Sequence, residues 1–182
     1  MSKLECQSGD GWVAYSAPPL YRIESRQNGE RVAATVPGGD PIILGKLCAC
    51  LEAPLFILYV LHTPRGEGEP GRYQSEEIDH DALNAFLARF GDYLSEDGRF
   101  DLWVYAPSQN ATVAWDRHNV IFAYGATPCY EQALRALGFD RGELPVLGDH
   151  MHHYKGEYDA DAAALLTAFD WHRTPLRPED EQ

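Results

Sequence analysis

The chain has 182 residues, of which 45% are hydrophobic and 24% charged, a composition typical of one globular domain. Its 28 acidic residues outnumber the 15 basic ones, and the net charge of -13 argues against a nucleic-acid surface, which needs clustered cations. The longest apolar run, Leu55 to Leu61, is shorter than the roughly 20 residues of a membrane-spanning helix. Residues 1–6 lack the pattern of a secretory signal. We therefore expect a soluble cytoplasmic domain that binds neither nucleic acid nor membrane.

Residues 1–40 predict a β-rich segment that could form an appendage. A first strand is expected over 11–17, and two more over 20–26 and 31–36 flank Gln27-Asn28-Gly29-Glu30. The Asn-Gly pair favours a tight hairpin because both central positions need a positive φ. Next, Asp40-Pro41 matches a helix N-cap followed by a first-turn proline, so a helix is expected over 40–53.

The middle of the chain predicts a buried strand, a loop and a long helix. Residues 55–62 show no polar alternation and are expected to form a central strand buried on both faces. Residues 64–75 contain three Gly and two Pro, so they are expected to form a mobile surface loop. An apolar stripe with helical spacing then predicts one helix over 79–94.

Three consecutive strands are expected over 100–105, 112–116 and 120–124, and their short connections favour antiparallel pairing. Thr127-Pro128 predicts the start of a helix that Gly138 ends. Residues 140–158 are expected to be a loop, Asp159 to cap a last helix, and 173–182 to form an exposed tail. Strands that come in runs indicate an α+β fold. We predict a single domain over 1–182, with a mainly antiparallel sheet packed against three to four helices.

The four cysteines are Cys6, Cys48, Cys50 and Cys129. A domain of this size does not depend on disulfides for a core, and the sequence shows no secretory context. The C-x-C pair lacks the spacing of a redox or structural zinc site. We therefore expect reduced, buried thiols.

Sequence motifs do not decide whether the protein is an enzyme. The chain contains no G-x-x-x-x-G-K-[ST], G-x-G-x-x-G, G-x-S-x-G or H-E-x-x-H motif. These absences weaken the case for a nucleotide-binding protein, an esterase or a zincin. No catalytic residue or organic cofactor is assigned.

One cluster of metal-ligating side chains lies in the segment 149–159. If this segment is extended, His150 and His152 project from one face and His153 from the other. Imidazoles with a nearby carboxylate such as Glu157 or Asp149 match the ligands that zinc and other transition metals prefer. His150, His152, His153 and Glu157 form a candidate metal site, most simply for zinc. The alternative is that they are ordinary surface or packing residues.

A second candidate site is the turn after the predicted strand 112–116. Trp115, Asp116, Arg117 and His118 place aromatic and charged groups together, as a protein-binding patch does. The alternative is that the aromatic residues of these strands face inward.

Two functional hypotheses follow. The first is an acidic binding protein whose charge favours encounter with a basic protein partner. In composition and size alone, the chain resembles antidote proteins that block basic nuclease toxins in bacteria, which would make it an inhibitor. The second is a metal-dependent hydrolase or metal-binding protein built on the His150–His153 cluster. We favour the first at this point because the metal hypothesis rests on one short segment.

Overall fold

The computed structural model describes residues 2–27 and 29–180. In this part of the chain the α+β prediction is confirmed, with twelve strands and five α-helices in a single domain. The strands are β1 (Leu4–Ser8), β2 (Gly11–Ala14), β3 (Leu20–Arg26), β4 (Gly29–Thr35), β5 (Phe56–Leu61), β6 (Gly71–Gln74), β7 (Phe100–Ala106), β8 (Ala111–Trp115), β9 (Val120–Tyr124), β10 (Asp140–Arg141), β11 (His150–His152) and β12 (His172–Thr174). The helices are α1 (Pro41–Cys48), α2 (His80–Arg89), α3 (Gly91–Glu96), α4 (Thr127–Ala136) and α5 (Asp159–Leu165).

The larger sheet has the strand order β10-β3-β4-β9-β8-β7-β5-β6-β12. Every pair is antiparallel except β10 with β3. The predicted hairpin of β3 and β4 is confirmed, with Arg26 opposite Gly29, while Asn28 lies outside the described residues. The strand at 55–62 was expected in the middle of the sheet. β5 instead lies seventh in the order, and β8 takes the central place because the β7–β8–β9 meander extends the sheet toward β4.

The smaller sheet has the order β11-β1-β2 and lies outside the main sheet. Leu4 pairs with His152, and Cys6 pairs with His150. Of the expected appendage over 1–40, β1 and β2 therefore belong to this small sheet, while β3 and β4 belong to the main one. The expected loop over 140–158 contains β11, because β1 supplies it with a hydrogen-bonding edge.

Helices cover one face of the main sheet. Asp40 caps α1 as predicted, accepting a hydrogen bond from the backbone N–H of Ile42 at 2.9 Å, and α1 packs on α4 and on β8. The single helix expected over 79–94 is instead two helices, because Phe90 leaves helical geometry with φ -105° and ψ 13°. The break lets both Phe90 and Tyr93 remain buried in the core.

The segments expected as a surface loop and as an exposed tail each contribute a strand to the main sheet. Within 64–75, β6 pairs with β5, and Tyr73 is buried, because β5 offers a partner that makes the short Gly-rich strand part of the sheet. The expected exposed tail over 173–182 begins within β12, which pairs with β6. Farther on, Asp180 is buried against Arg72, while residues 181 and 182 lie outside the described residues.

The expectation of four reduced cysteines is wrong. Cys50, just after α1, forms a disulfide with Cys129 in α4, whereas Cys6 and Cys48 are free. The packing of α1 against α4 brings together two cysteines that are 79 positions apart in sequence. Disulfides persist in oxidising compartments, so this pairing does not support the cytoplasmic expectation. No helix among the described residues is long and apolar enough to cross a membrane.

Candidate metal centre

Three histidines converge where the β8–β9 turn meets the small sheet. His150 and His152 project from the same face of β11, as their alternation predicts, and His118 reaches them from the turn. Their ring centres are separated by 5.0 Å (His118 to His150), 5.0 Å (His118 to His152) and 5.3 Å (His150 to His152). Three imidazoles on one tetrahedral ion, with Zn–N bonds of about 2.0–2.1 Å, have ring centres about 5.2 Å apart. The rings already have the spacing of a three-histidine site.

The nitrogen atoms of the three rings also lie close to one another. One nitrogen from each ring lies within 4.8 Å of those from the other two, whereas ligand atoms in a tetrahedral zinc site are about 3.4 Å apart, so each pair needs to approach by at most about 1.4 Å. Rotating the rings about their side-chain torsions moves the nitrogens by about this difference without moving the backbone. The cluster can therefore close around an ion by side-chain motion.

Asp116 orients the His118 ring. Its Oδ2 lies 3.3 Å from His118 Nδ1, while its Oδ1 accepts the backbone N–H groups of His118 at 3.0 Å and Val120 at 2.9 Å. Asn119 completes the turn with a left-handed φ of 59°. A proton on Nδ1 facing the carboxylate leaves the lone pair of His118 on Nε2. Carboxylate–histidine pairs of this kind are typical of zinc ligands.

His150 has a comparable partner. Its Nδ1 lies 3.0 Å from the carbonyl oxygen of Gly148, which accepts a hydrogen only from a protonated Nδ1. This contact leaves the His150 lone pair on Nε2. Two of the three rings are therefore held by outer-shell acceptors of the kind that metal-ligating histidines use.

His152 is the most constrained of the three. Its Nδ1 is buried and has no hydrogen-bond partner among residues 2–27 and 29–180. Burial, together with the nearby positive charges of which those of His118 and Arg117 are the largest, lowers the pKa of His152 to about 3. The ring therefore stays neutral at physiological pH, the state that a metal ligand requires.

Gly98 allows this close packing. A Cβ at Gly98 would lie 3.0 Å from the backbone oxygen of Lys3 and 3.3 Å from His152 Nδ1, closer than side chains normally approach. Backbone hydrogen bonds from Gly98 to His153 and from His153 to Lys3 fix β11 beside this glycine. Any larger residue would displace the His152 ring.

The other predicted ligands are not part of the cluster. His153 faces away, and its Nε2 lies 3.0 Å from Glu5 Oε2, although the angle between them is not that of a hydrogen bond. Glu157 is exposed on a short 3-10 helix after β11. The structure therefore brings together only two of the four residues predicted from the sequence.

The predicted partner-binding residues have different environments. Trp115 is 1% exposed, and its indole lies 3.3 Å from Asn119 Oδ1, so it cannot form part of a surface patch. Its inward orientation matches the alternative interpretation of these aromatics. Asp116 and His118 belong to the candidate metal centre. Sequence reasoning missed that role for His118 because no spacing rule connects a turn residue with a strand 32 positions later.

A cleft of about 430 Å³ opens beside the metal centre on the sheet face opposite the helices. His118, Asp116 and Arg117 form one end of it. The cleft is also lined by Arg31, Asp101, Trp103, Thr112, Ala114, Phe122, Tyr124, Glu179 and Asp180. A small molecule bound in this cleft would contact His118 directly.

A second polar cluster supports the segment that carries His152. Arg99 is buried, and its Nε and Nη2 donate to the two oxygens of Asp97 at 2.8 and 2.9 Å. Asp97 also accepts the backbone N–H of Lys155 at 2.7 Å. This network ties the segment after β11 to β7.

Comparisons with protein-family models, curated proteins and solved structures found no match to this chain, so the functional interpretation rests on the geometry described above.

Proposed function

We propose that the protein binds a divalent transition metal, most simply zinc, on His118, His150 and His152, and that the ion serves hydrolysis of a small molecule bound in the adjoining cleft. The observation that carries this proposal is the convergence of three imidazoles from two separate elements. Three neutral nitrogen ligands are the donor set of many catalytic zinc sites.

Metal binding explains the surroundings of the three rings better than packing alone does. A histidine that only packs in the protein needs one hydrogen-bond partner or solvent, whereas these three rings also face one another at close range. An ion shared by the lone pairs of the three rings would stabilise this arrangement.

The neighbouring cleft supports hydrolysis rather than a purely structural role. Zinc held by three protein ligands keeps a position for water and lowers the pKa of that water to about 7. His118 lines the cleft, so a ligand in the cleft would lie beside that position. The chain's own contribution is to hold the His152 ring neutral, to orient the His118 and His150 rings and to shape the cleft.

The test is the metal content of protein purified without a histidine tag and dialysed against zinc. We expect about one equivalent in the wild-type protein, and less than about a tenth of an equivalent after His118→Ala or His152→Ala, since two ligands do not hold zinc tightly. His153→Ala is the matched control, because His153 is adjacent in sequence but points toward Glu5. This variant is expected to retain the ion.

Two outcomes would contradict the proposal. The first is wild-type protein that binds no zinc, cobalt, nickel or iron. The second is a loss of metal in His153→Ala equal to that in His118→Ala. An assay of hydrolysis cannot replace the measurement of metal content, because it depends on the choice of substrate as well as on the ion.

A second proposal, binding to a basic protein, is supported by the net charge of -13 and by the exposed carboxylates of Glu76, Glu77 and Asp81 beside α2. Retention of a purified basic partner should fall as salt rises, because surface attraction is screened. Neutralising the three carboxylates should weaken retention while zinc content is unchanged. Retention that is equal at low and high salt would contradict this proposal.

A further inference from the structure

The cleft beside the metal centre contains a slot between two aromatic side chains. The strand register places Trp103 of β7 opposite Ala114 of β8, and Ala114 opposite Phe122 of β9. Directly paired residues share one face of a sheet. The face away from the helices therefore carries a large, a small and a large side chain in one row, and all three line the cleft.

The spacing of the strands leaves room for a flat ring between the two aromatic side chains. Neighbouring strands are about 4.8 Å apart, so the backbones that carry Trp103 and Phe122 are separated by about 9.6 Å. An aromatic ring stacked between two others needs about 7 Å between the outer ring planes. The methyl group of Ala114 forms the floor, and the hydroxyl-bearing Thr112 lies two residues away on the same face of β8.

Arginines from outside the slot cover the aromatic walls. The guanidinium of Arg31, from β4, lies 4.1 Å from the centre of the Phe122 ring, and that of Arg72, from β6, lies 5.3 Å from the Trp103 ring. Arg31 donates to the Tyr124 hydroxyl at 2.8 Å, and Arg72 pairs with the buried Asp180. Both strands lie beyond the slot in the sheet order. The arginines therefore reach the two rings from strands that lie outside the slot.

Three of the four carboxylates that line the cleft accept hydrogen bonds from the protein, and the fourth, Glu179, is exposed. Asp101 Oδ1 accepts the backbone N–H of Arg117 at 2.8 Å, whereas its Oδ2 lies 3.0 Å from His62 Nε2 without the angle of a hydrogen bond. Asp116 is engaged by its own turn, and Asp180 by Arg72 and the backbone N–H of Arg177. The aromatic side chains of the cleft favour a flat ring.

We propose that the slot formed by Trp103, Ala114 and Phe122 receives an aromatic or heteroaromatic ring, and that this ring belongs to a substrate whose oxygen-donor group lies at the metal centre. The first part depends only on the cleft. The second part rests on the proposed function, because it requires an ion on His118 and its partners. The substrate class is therefore a ring-bearing acyl or phosphoryl compound with the ring next to the group that is hydrolysed.

Three hydroxamates test the second part by calorimetry on zinc-loaded protein. Benzohydroxamate, acetohydroxamate and cyclohexanecarbohydroxamate carry the same chelating group and differ in the ring. We expect benzohydroxamate to bind about tenfold more tightly than either of the others, because only a flat ring stacks on both walls. Equal affinity of the phenyl and cyclohexyl compounds would overturn the proposal, as would less than about a twofold preference for phenyl over methyl.

Filling the slot provides the matched variant. Ala114→Leu should abolish the preference for benzohydroxamate while zinc content stays at about one equivalent, because Ala114 lies outside the histidine cluster. Trp103→Ala, which removes one wall, serves the same purpose if the leucine variant does not fold. A preference that survives both substitutions would overturn the proposal.

A measurement without metal distinguishes the proposed aromatic slot from the proposed metal site. The 19F signal of 4-fluorobenzamide should broaden in the presence of EDTA-treated wild-type protein and not in the presence of Ala114→Leu. If the signal broadens in a protein that binds no metal, the slot is supported and the metal proposal fails. If zinc binds but no broadening or phenyl preference is found, the slot fails and the metal proposal stands.

Discussion

Replacing Arg99 by methionine is expected to lower the free energy of unfolding by about 4 kcal/mol, because the substitution leaves buried carboxylates without a cation. Arg99 is fully buried and donates to Asp97, to Glu67 at 2.9 Å and to Asp159 at 3.1 Å. Asp97 and Glu67 are also buried, with side chains 0% and 1% exposed. Breaking a buried pair by removing one partner costs about 3–5 kcal/mol, and here two buried partners are left.

Part of the cost is offset by the backbone. Asp97 keeps hydrogen bonds from the N–H groups of residue 99 at 3.1 Å and of Lys155 at 2.7 Å. These contacts keep the expected loss near the middle of the range. For a chain of this size, about 4 kcal/mol corresponds to a fall in Tm of about 8–16 °C.

Urea denaturation in the presence of EDTA measures this loss without a contribution from metal. Arg65→Met is the matched control, because Arg65 also contacts Asp159, at 3.0 Å, but is 41% exposed. An exposed ion pair contributes about 0–1 kcal/mol. The triple substitution Arg99→Met, Asp97→Asn, Glu67→Gln should recover part of the stability, since it removes the uncompensated charges. A loss below about 1 kcal/mol in Arg99→Met, or an equal loss in Arg65→Met, would show that the buried carboxylates do not depend on the Arg99 guanidinium.

Three further predictions concern other parts of the molecule. Lys3 is buried, and burial lowers its pKa from 10.5 to about 7. In the metal-free protein, the charge on Lys3 therefore lowers the free energy of unfolding most below pH 7. This loss of stability decreases as the pH rises toward 10.5, where the unfolded chain also loses the proton. Lys3→Met should therefore stabilise the protein by up to about 5 kcal/mol near pH 6 and several-fold less near about pH 9.5 in urea denaturation. Replacing Cys50 and Cys129 by Ser should lower the free energy of unfolding by about 2–4 kcal/mol, because the disulfide closes a long loop, and unfolded, unreduced wild-type protein should show two titratable thiols. Asp116→Asn should weaken zinc binding by about 10–100-fold in a competition titration, because the amide keeps the turn but loses the charge that orients the ring, whereas Asp149→Asn should not change it.

Each of these predictions has a contradicting result. A gain in Lys3→Met that is the same at both pH values would show that burial of the ammonium group is not the cause. Four titratable thiols would show that the disulfide does not form. Zinc affinity that is unchanged in Asp116→Asn would show that this carboxylate does not orient a ligand.

Local signals in the sequence predict much of the fold. The cap and proline at Asp40-Pro41 locate the start of α1, and the apolar stripe locates α2. The break at Phe90 was not predictable, because the stripe continues through it and only packing in three dimensions favours two helices. β6 was missed for a similar reason. Its Gly-rich sequence has little strand propensity, and β5 supplies the pairing that makes it a strand.

The candidate site was predictable in part. Alternation along an extended segment correctly places His150 and His152 on one face and His153 on the other. The role of His118 depends on where the β8–β9 turn meets the small sheet, and that contact is set by the pairing of β1 with β11. Long-range pairings of this kind leave no local pattern. The disulfide, which joins α1 and α4, was missed for the same reason.

X-ray absorption of the zinc-loaded protein identifies the ligands of the ion. We predict three imidazole nitrogens at about 2.0 Å from zinc and one further light-atom ligand. His118→Ala should remove one imidazole contribution or the ion itself, while His153→Ala should leave the spectrum unchanged. A sulfur ligand at about 2.3 Å, or a wild-type spectrum with fewer than three imidazoles, would contradict the account.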